Sequence, residues 1–183
     1  MDSPQPVTPD LQTLMSLFYG SSANLGQFEE VAATDMPAVY ARLLAHEEHM
    51  TVTVESFHQS PVDVRVIDTL ITQTHYARKI LLQRQSDGHV VQFGIVRLNF
   101  SYLSPEVRAE IESQETPLGR ILINHQVLRE VQLASLWRVD CGPDLRKLFN
   151  IDADRAITYG RTALIYCNGE PAVELIEIVT PEE

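Results

Sequence analysis

The stretch Tyr76-Ala77-Arg78-Lys79-Ile80-Leu81-Leu82, followed after Ser86-Asp87-Gly88 by the run from Val90 to Phe100, decides the fold. Both runs are rich in β-branched, aromatic and aliphatic residues, and neither contains proline. A short glycine-containing turn separates them, which is the pattern of a β-hairpin whose strands can lie inside a sheet. Alternation in the first run sets Tyr76, Arg78, Ile80 and Leu82 on one face. A guanidinium therefore projects from an apolar surface. It cannot lose its charge there, and leaving it without a partner costs several kcal/mol. Arg78 needs an anion.

Working outward, Val127 to Val139, Thr158 to Cys167 and Ala172 to Thr180 read as further strands, the last two joined at Asn168-Gly169, a strong hairpin signal. Upstream, Val62-Asp63-Val64-Arg65-Val66 alternates with period two, and so does Thr51-Val52-Thr53-Val54, so the sheet is expected to begin at Thr51. Thr8-Pro9 ahead of Leu11, Leu14, Met15 and Phe18 marks an amphipathic helix that stops at Gly20, and residues 21–27 read as a loop. Asp35 and Pro37 open a second helix, with Val39, Tyr40, Leu43 and Leu44 on its buried side. Ser104-Pro105 and Thr116-Pro117 start two more, and residues 144–149 form a helical turn. Consecutive hairpins with helices inserted between them give an α+β class with a mainly antiparallel sheet.

No repeat, low-complexity tract or long linker divides the chain, so residues 1–183 are expected to form one domain, its first 42 residues a helical segment. Apolar residues make up 44% and charged residues 21%, enough for an ordinary core without staples. Cys141 and Cys167 are too far apart for a CxxC element, and both read as buried thiols in a reducing compartment. Met1 to Asp10 lacks the basic flank and apolar core of a signal peptide, and no apolar run is long enough to span a bilayer. A cytoplasmic location is expected. The net charge of −11 disfavours nucleic acid and anionic membranes as partners, and an anionic ligand would need locally placed arginines.

The last strand offers the counterpart to Arg78. Val173, Leu175, Glu177 and Val179 share a face, and a carboxyl among aliphatic groups is pushed toward its neutral form unless a cation is close. Such a group can exchange protons near neutral pH. Glu174 falls on the other face, and alternation alone leaves open which glutamate points inward. A structural Arg78–Glu177 ion pair fits the same pattern. Arg161 (with Tyr159, Ala163 and Ile165) and Arg97 (with Phe93 and Ile95) repeat the motif of an arginine on an apolar strand face, and each is a candidate second anion ligand. His46-Glu47-Glu48-His49 differs from HExxH because its histidines are three apart and no third ligand is evident, so no metal is expected. Neither a glycine-rich phosphate loop nor a nucleophile elbow is present.

Taken in order, five groups of residues resemble the chorismate pyruvate-lyase family. They are His49-Met50-Thr51, Tyr76 to Leu82, Thr116-Pro117-Leu118-Gly119-Arg120, Tyr159-Gly160-Arg161, and Asn168-Gly169-Glu170-Pro171 with Glu177 before Pro181. The resemblance covers residues 43–181. It implies a single α+β domain with helices on one side of the sheet and a ligand sealed under helical flaps. It implies cofactor-free cleavage of chorismate to 4-hydroxybenzoate and pyruvate by a monomer, with no metal. By the same resemblance Arg78 would bind the ring carboxylate and Glu177 would meet the hydroxyl end. Leu118, beside Gly119, would offer its backbone N–H, and Met50 would line the flap. Ile95 stands where some relatives carry an arginine, and residues 56–74 do not align. The fold also resembles effector-binding domains of certain transcription regulators. The alternative function is therefore a non-catalytic sensor of small carboxylates, although the segment before Leu43 has no basic recognition helix.

Overall fold

Seven strands pair antiparallel throughout into one sheet. They are β1 (Gly26–Val31), β2 (Val62–Ile71), β3 (His75–Arg84), β4 (Val90–Asn99), β5 (Arg129–Cys141), β6 (Ile157–Cys167) and β7 (Glu170–Val179). Their order across the sheet is β1-β5-β6-β7-β4-β3-β2. Six α-helices accompany them: α1 (Leu11–Ser16), α2 (Ala38–Leu44), α3 (Met50–His58), α4 (Pro105–Ser113), α5 (Leu118–Asn124) and α6 (Pro143–Phe149). This computed structural model describes residues 8–182. Residues 1–7, read above as free of a leader, and Glu183 lie outside the described residues.

The architecture is the α+β antiparallel one expected. β3, β4, β6 and β7 are central and covered on both faces, which is why they read as nearly continuous apolar runs. On one face, Val96, Leu98, Ile165 and Leu175 pack on Val107 and Ile111 of α4 and on Ile121 and Leu122 of α5. Farther along that face Ile80, Leu82 and Val179 meet Leu43 and Leu44 of α2 and Met50 and Val54 of α3. The helix layer is not wholly one-sided. Leu81, Phe93, Ile95, Ile176 and Ile178 on the opposite face carry α1 and α6 through Leu14, Met15, Leu145 and Phe149. Each such fully buried aliphatic or aromatic side chain contributes about 1.5–3 kcal/mol.

Two segments depart from the sequence reading. Thr51 to Val54 belongs to α3, not to a strand. A strand would have set Val52 and Val54 on one face, whereas Val54 is fully buried and Val52 is exposed, because the buried set Met50, Thr51 and Val54 follows the helical spacing. Packing against α5 and the sheet overrides the β preference of two threonines and two valines. Residues 21–27, read as a loop, include the first residues of β1, an edge strand whose Glu29 and Glu30 face solvent.

The β6–β7 hairpin turns on Asn168 (φ 52°) and Gly169 (φ 84°), the positive pair that a tight hairpin turn requires. Cys167 then faces Glu170 and Tyr166 faces Pro171, but Ile165 faces Val173. Ala172 is the extra residue of a β-bulge, and beyond it Arg161 stands directly opposite Glu177. Gly160, beside Arg161, is held to glycine by close approach: a Cβ there would lie 2.7 Å from the Glu177 carbonyl oxygen.

Candidate functional site

Three rows of side chains across β3, β4 and β7 form the floor of an interior cavity. Arg78, Val96 and Leu175 make the first row; Ile80, Gly94 and Glu177 the second; Leu82, Gln92 and Val179 the third. Arg78 and Glu177 are two strands apart and two residues along, so about 4.8 Å per strand and 3.4 Å per residue give a Cα separation of about 12 Å. Val64, Ile165 and all of these floor residues except Val179 line the cavity. His49, Met50 and Thr51 at the start of α3 and Pro117, Leu118 and Gly119 at the start of α5 close it from the helix side. The space open to the centre of a water molecule is about 40 Å³. Admission of a ring-sized ligand therefore requires one of these helix starts to move.

Two helix starts meet at the roof. His49 precedes α3 and Pro117 precedes α5, and neither helix has a side-chain cap, so first-turn amides remain uncapped at the residues that line the cavity. The two helices are fastened to each other: Arg120 Nη2, near the start of α5, donates to Glu55 Oε2, midway along α3, at 2.7 Å. They also fit closely, since a Cβ on Gly119 would lie 3.1 Å from Thr51 Oγ1 and 3.2 Å from His49 Cβ. A larger residue at 119 would push His49 or Thr51 aside.

Arg78 is 1% exposed, and its Nε and Nη1 have no hydrogen-bond partner. Burial lowers its pKa, and the nearby Tyr76 phenol partly offsets this. The Tyr76 hydroxyl is itself buried without a partner. Glu177 does not pair with Arg78. Its Oε2 accepts from Arg161 Nε at 2.8 Å, so the cation that alternation left unspecified is Arg161. Arg161, also 1% exposed, spends its other donors on the carbonyl oxygens of His46 and Glu48, both at 2.8 Å. It secures Glu177 and the segment leading into α3 together.

The two further arginine candidates separate accordingly. Arg161 is buried, and the carboxylate it meets is Glu177. Arg97 faces away from the cavity, half-exposed, with Nη1 3.7 Å from Glu174 Oε2 directly across β7. That contact also settles the choice between the two glutamates, because Glu174 points out and Glu177 points in. Met50, Leu118 and Gly119 all meet the cavity. Sequence reading missed His49 and Gln92, whose Nε2 and Oε1 are buried without partners at the cavity wall. The alternation that set Phe93, Ile95 and Arg97 on one face leaves Gln92 on the other, with Gly94 and Val96.

The His46 and His49 rings do not converge. His46 Nε2 lies 2.7 Å from the Leu43 carbonyl oxygen, while His49 turns to the cavity. Among the described residues no group of three or more potential metal ligands gathers. Cys141 and Cys167 are buried and free, their thiols pushed up to about 12 and about 11 by burial. No helix among the described residues is long and apolar enough to cross a membrane.

Burial, with help from Arg129 and Arg161, lowers the His49 pKa to about 4. The folded ring stays neutral between pH 4 and 6.5, where the unfolded ring gains a proton, so stability is present above pH 6.5 and falls as the pH drops toward 4. By pH 5 the loss traceable to His49 is about 2 kcal/mol. Urea unfolding of wild type and His49→Gln at pH 7 and pH 5 checks this: the variant should lose less stability on acidification, and equal losses would exclude His49 as the source.

No protein-family model matches the chain, and no curated protein matches it. Several solved structures do. The effector domain of PhnF from Mycobacterium smegmatis superposes with a TM-score of 0.50 at 12% identity, over 73% of this chain and 88% of that one. The longer PhnF structure gives a TM-score of 0.49 at 12% identity over 72% of this chain, which spans only 63% of that protein. A GntR-family transcriptional regulator from Bacillus cereus gives 0.46 at 11% identity, over 66% and 92% of the two chains. The chain therefore shares the α+β fold of the PhnF effector domain.

Proposed function

We propose that the cavity binds chorismate and converts it to 4-hydroxybenzoate and pyruvate. The observation that carries this reading is the buried Arg78 guanidinium, two of its donors unpaired, facing a closed cavity whose other wall holds Glu177. A ring bearing a carboxylate at one end and a hydroxyl at the other matches that polarity. The ordered segments that resemble chorismate pyruvate-lyases supply ten of the lining residues, among them Met50, Arg78, Leu118, Gly119 and Glu177.

In the proposed reaction Arg78 and the first amides of α5 hold the ring carboxylate, and Glu177 meets the C4 hydroxyl. The C4 hydrogen leaves as a proton, the C3–O bond to the enolpyruvyl group breaks, and the electron pair forms the C3–C4 double bond that completes the aromatic ring. Enolpyruvate takes up a proton at its methylene carbon to become pyruvate. Because aromatisation drives the step downhill, most of the catalytic task is positioning, which can supply several kcal/mol of barrier reduction. Glu177 assists proton removal at C4, and the free amides at the start of α3 stabilise charge on the departing oxygen.

Incubating the purified protein with chorismate, without added metal or nucleotide, should give 4-hydroxybenzoate and pyruvate in equal amounts; absence of both would reject the lyase reading. The closed roof also implies slow product release, so added 4-hydroxybenzoate should inhibit strongly, and its failure to inhibit would count against the sealed site. A second reading, a small-carboxylate sensor without turnover, draws on the fold shared with the PhnF effector domain. Saturable binding of 4-hydroxybenzoate by a protein that leaves chorismate intact would select it.

A further inference from the structure

Beyond Arg78 and Glu177, the sheet side of the cavity carries one more polar side chain, Gln92. Gln92 is 2% exposed, and its Oε1 has no hydrogen-bond partner. It occupies the third row of the floor, next to Leu82 on β3 and Val179 on β7, one row beyond Glu177 and two rows beyond Arg78. Its immediate neighbours in the row are apolar. On β4 the next residue inward on the same face is Gly94, which has no side chain to fill the space between Gln92 and the middle of the cavity.

A carboxamide so placed is an unusual choice for a sheet interior. Leucine or methionine would fill the volume, whereas an unpaired buried carbonyl carries a desolvation cost with no return inside the protein. The same imbalance at Arg78 marks where an anion belongs. At Gln92 the missing partner is a hydrogen-bond donor. The two vacancies differ in sign and lie about four residues apart along the strand direction, roughly 13 Å at strand rise. Between them the floor carries Gly94, which has no side chain, so a ring admitted by movement of the roof would meet Arg78 at one end and Gln92 at the other.

We propose that Gln92 is a specificity-determining residue that accepts the hydrogen of a hydroxyl on the ligand ring, at the pole opposite the carboxylate. This inference rests on the reading of the cavity as an aromatic-carboxylate site and adds the discrimination between hydroxylated and unsubstituted rings. Glu177, already accepting from Arg161 through Oε2, approaches the same pole from β7. The two residues flank the hydroxyl from adjacent strands, since Glu177 faces Gly94 and Val179 faces Gln92. A ring without the hydroxyl would leave the Gln92 carbonyl buried and unmatched, and the site would reject it on that ground.

The test is calorimetric titration of the full chain and of Gln92→Met with two probes, 4-hydroxybenzoate and benzoate. Methionine keeps the length and removes the acceptor. Wild type should prefer 4-hydroxybenzoate; the variant should bind it about 2- to 12-fold more weakly, the range for loss of one hydrogen bond, and bind benzoate no more weakly than wild type does. The free variant should also melt at a temperature equal to or above that of wild type, which excludes misfolding as the cause. Equal weakening for both acids would make Gln92 a shaping residue and overturn the proposal, as would unchanged affinity for both. If wild type binds neither acid, the aromatic-carboxylate reading itself falls and this inference falls with it, a result separable from failure at Gln92 alone.

Discussion

Replacing Arg78 with methionine should raise the stability of the free protein and abolish ligand binding together. The guanidinium is almost completely buried, with Nε and Nη1 unpaired, so the folded protein carries an uncompensated buried charge. Exchanging it for an apolar group of similar length removes that cost, for a gain of about 1–4 kcal/mol. In a chain of 183 residues each kcal/mol raises Tm by about 2–4 °C. Binding moves in the opposite direction. Loss of one side of a desolvated arginine–carboxylate contact weakens 4-hydroxybenzoate by roughly 100-fold or more, and turnover falls with it. Thermal melting and titration on the same preparation decide the matter. A variant less stable than wild type that still binds tightly would mean that Arg78 has a structural partner and that the ligand sits elsewhere.

Glu177 is expected to divide into two roles according to its replacement. Glu177→Ala leaves Arg161 buried with only the two carbonyl contacts from the segment before α3, and should lower stability by about 3–5 kcal/mol. Glu177→Gln keeps an oxygen for Arg161 Nε and the shape of the wall while removing the proton acceptor. It should fold, bind 4-hydroxybenzoate within severalfold of wild type, and turn over chorismate about 10²–10⁴-fold more slowly. Near-normal turnover in Glu177→Gln would exclude it as a base and leave intramolecular transfer from C4 to the enolpyruvyl group as the route.

The legible part of this fold was the part where local pattern and tertiary environment agree. The β3–β4 and β6–β7 hairpins announce themselves by apolar runs around glycine-containing turns, and these strands carry Arg78, Gln92 and Glu177. Thr51 to Val54 was misleading because four β-branched residues in alternation satisfy a strand locally, while the helix is stabilised by contacts with α5 and the sheet that the segment itself does not encode. β1 escaped notice because an edge strand with two solvent-facing glutamates presents little apolar signal. For the site, alternation assigned Arg78 and Glu177 to inward faces one strand at a time. It could not pair strands, so whether Glu177 would meet Arg78, Arg161 or solvent was open. Arg97 and Arg161 look alike in sequence, and only cross-strand neighbours distinguish a half-exposed contact with Glu174 from a buried clasp on Glu177.

The bulge at Ala172 has a bearing on how this chain can change over generations. Counted from the Asn168–Gly169 turn without it, Arg161 would oppose Ile176 and the carboxyl of residue 177 would emerge on the far side of the sheet. Parity, not identity, thus assigns β7 its inward set. Losing or gaining one amino acid between Tyr166 and Val173 is equivalent to rewriting the whole lining contributed by that strand, exchanging Leu175 and Glu177 for Glu174, already matched to Arg97, and Ile176. Length variation should therefore be tolerated in the surface connections far better than in this short hairpin arm, even though no atom of the bulge touches the cavity.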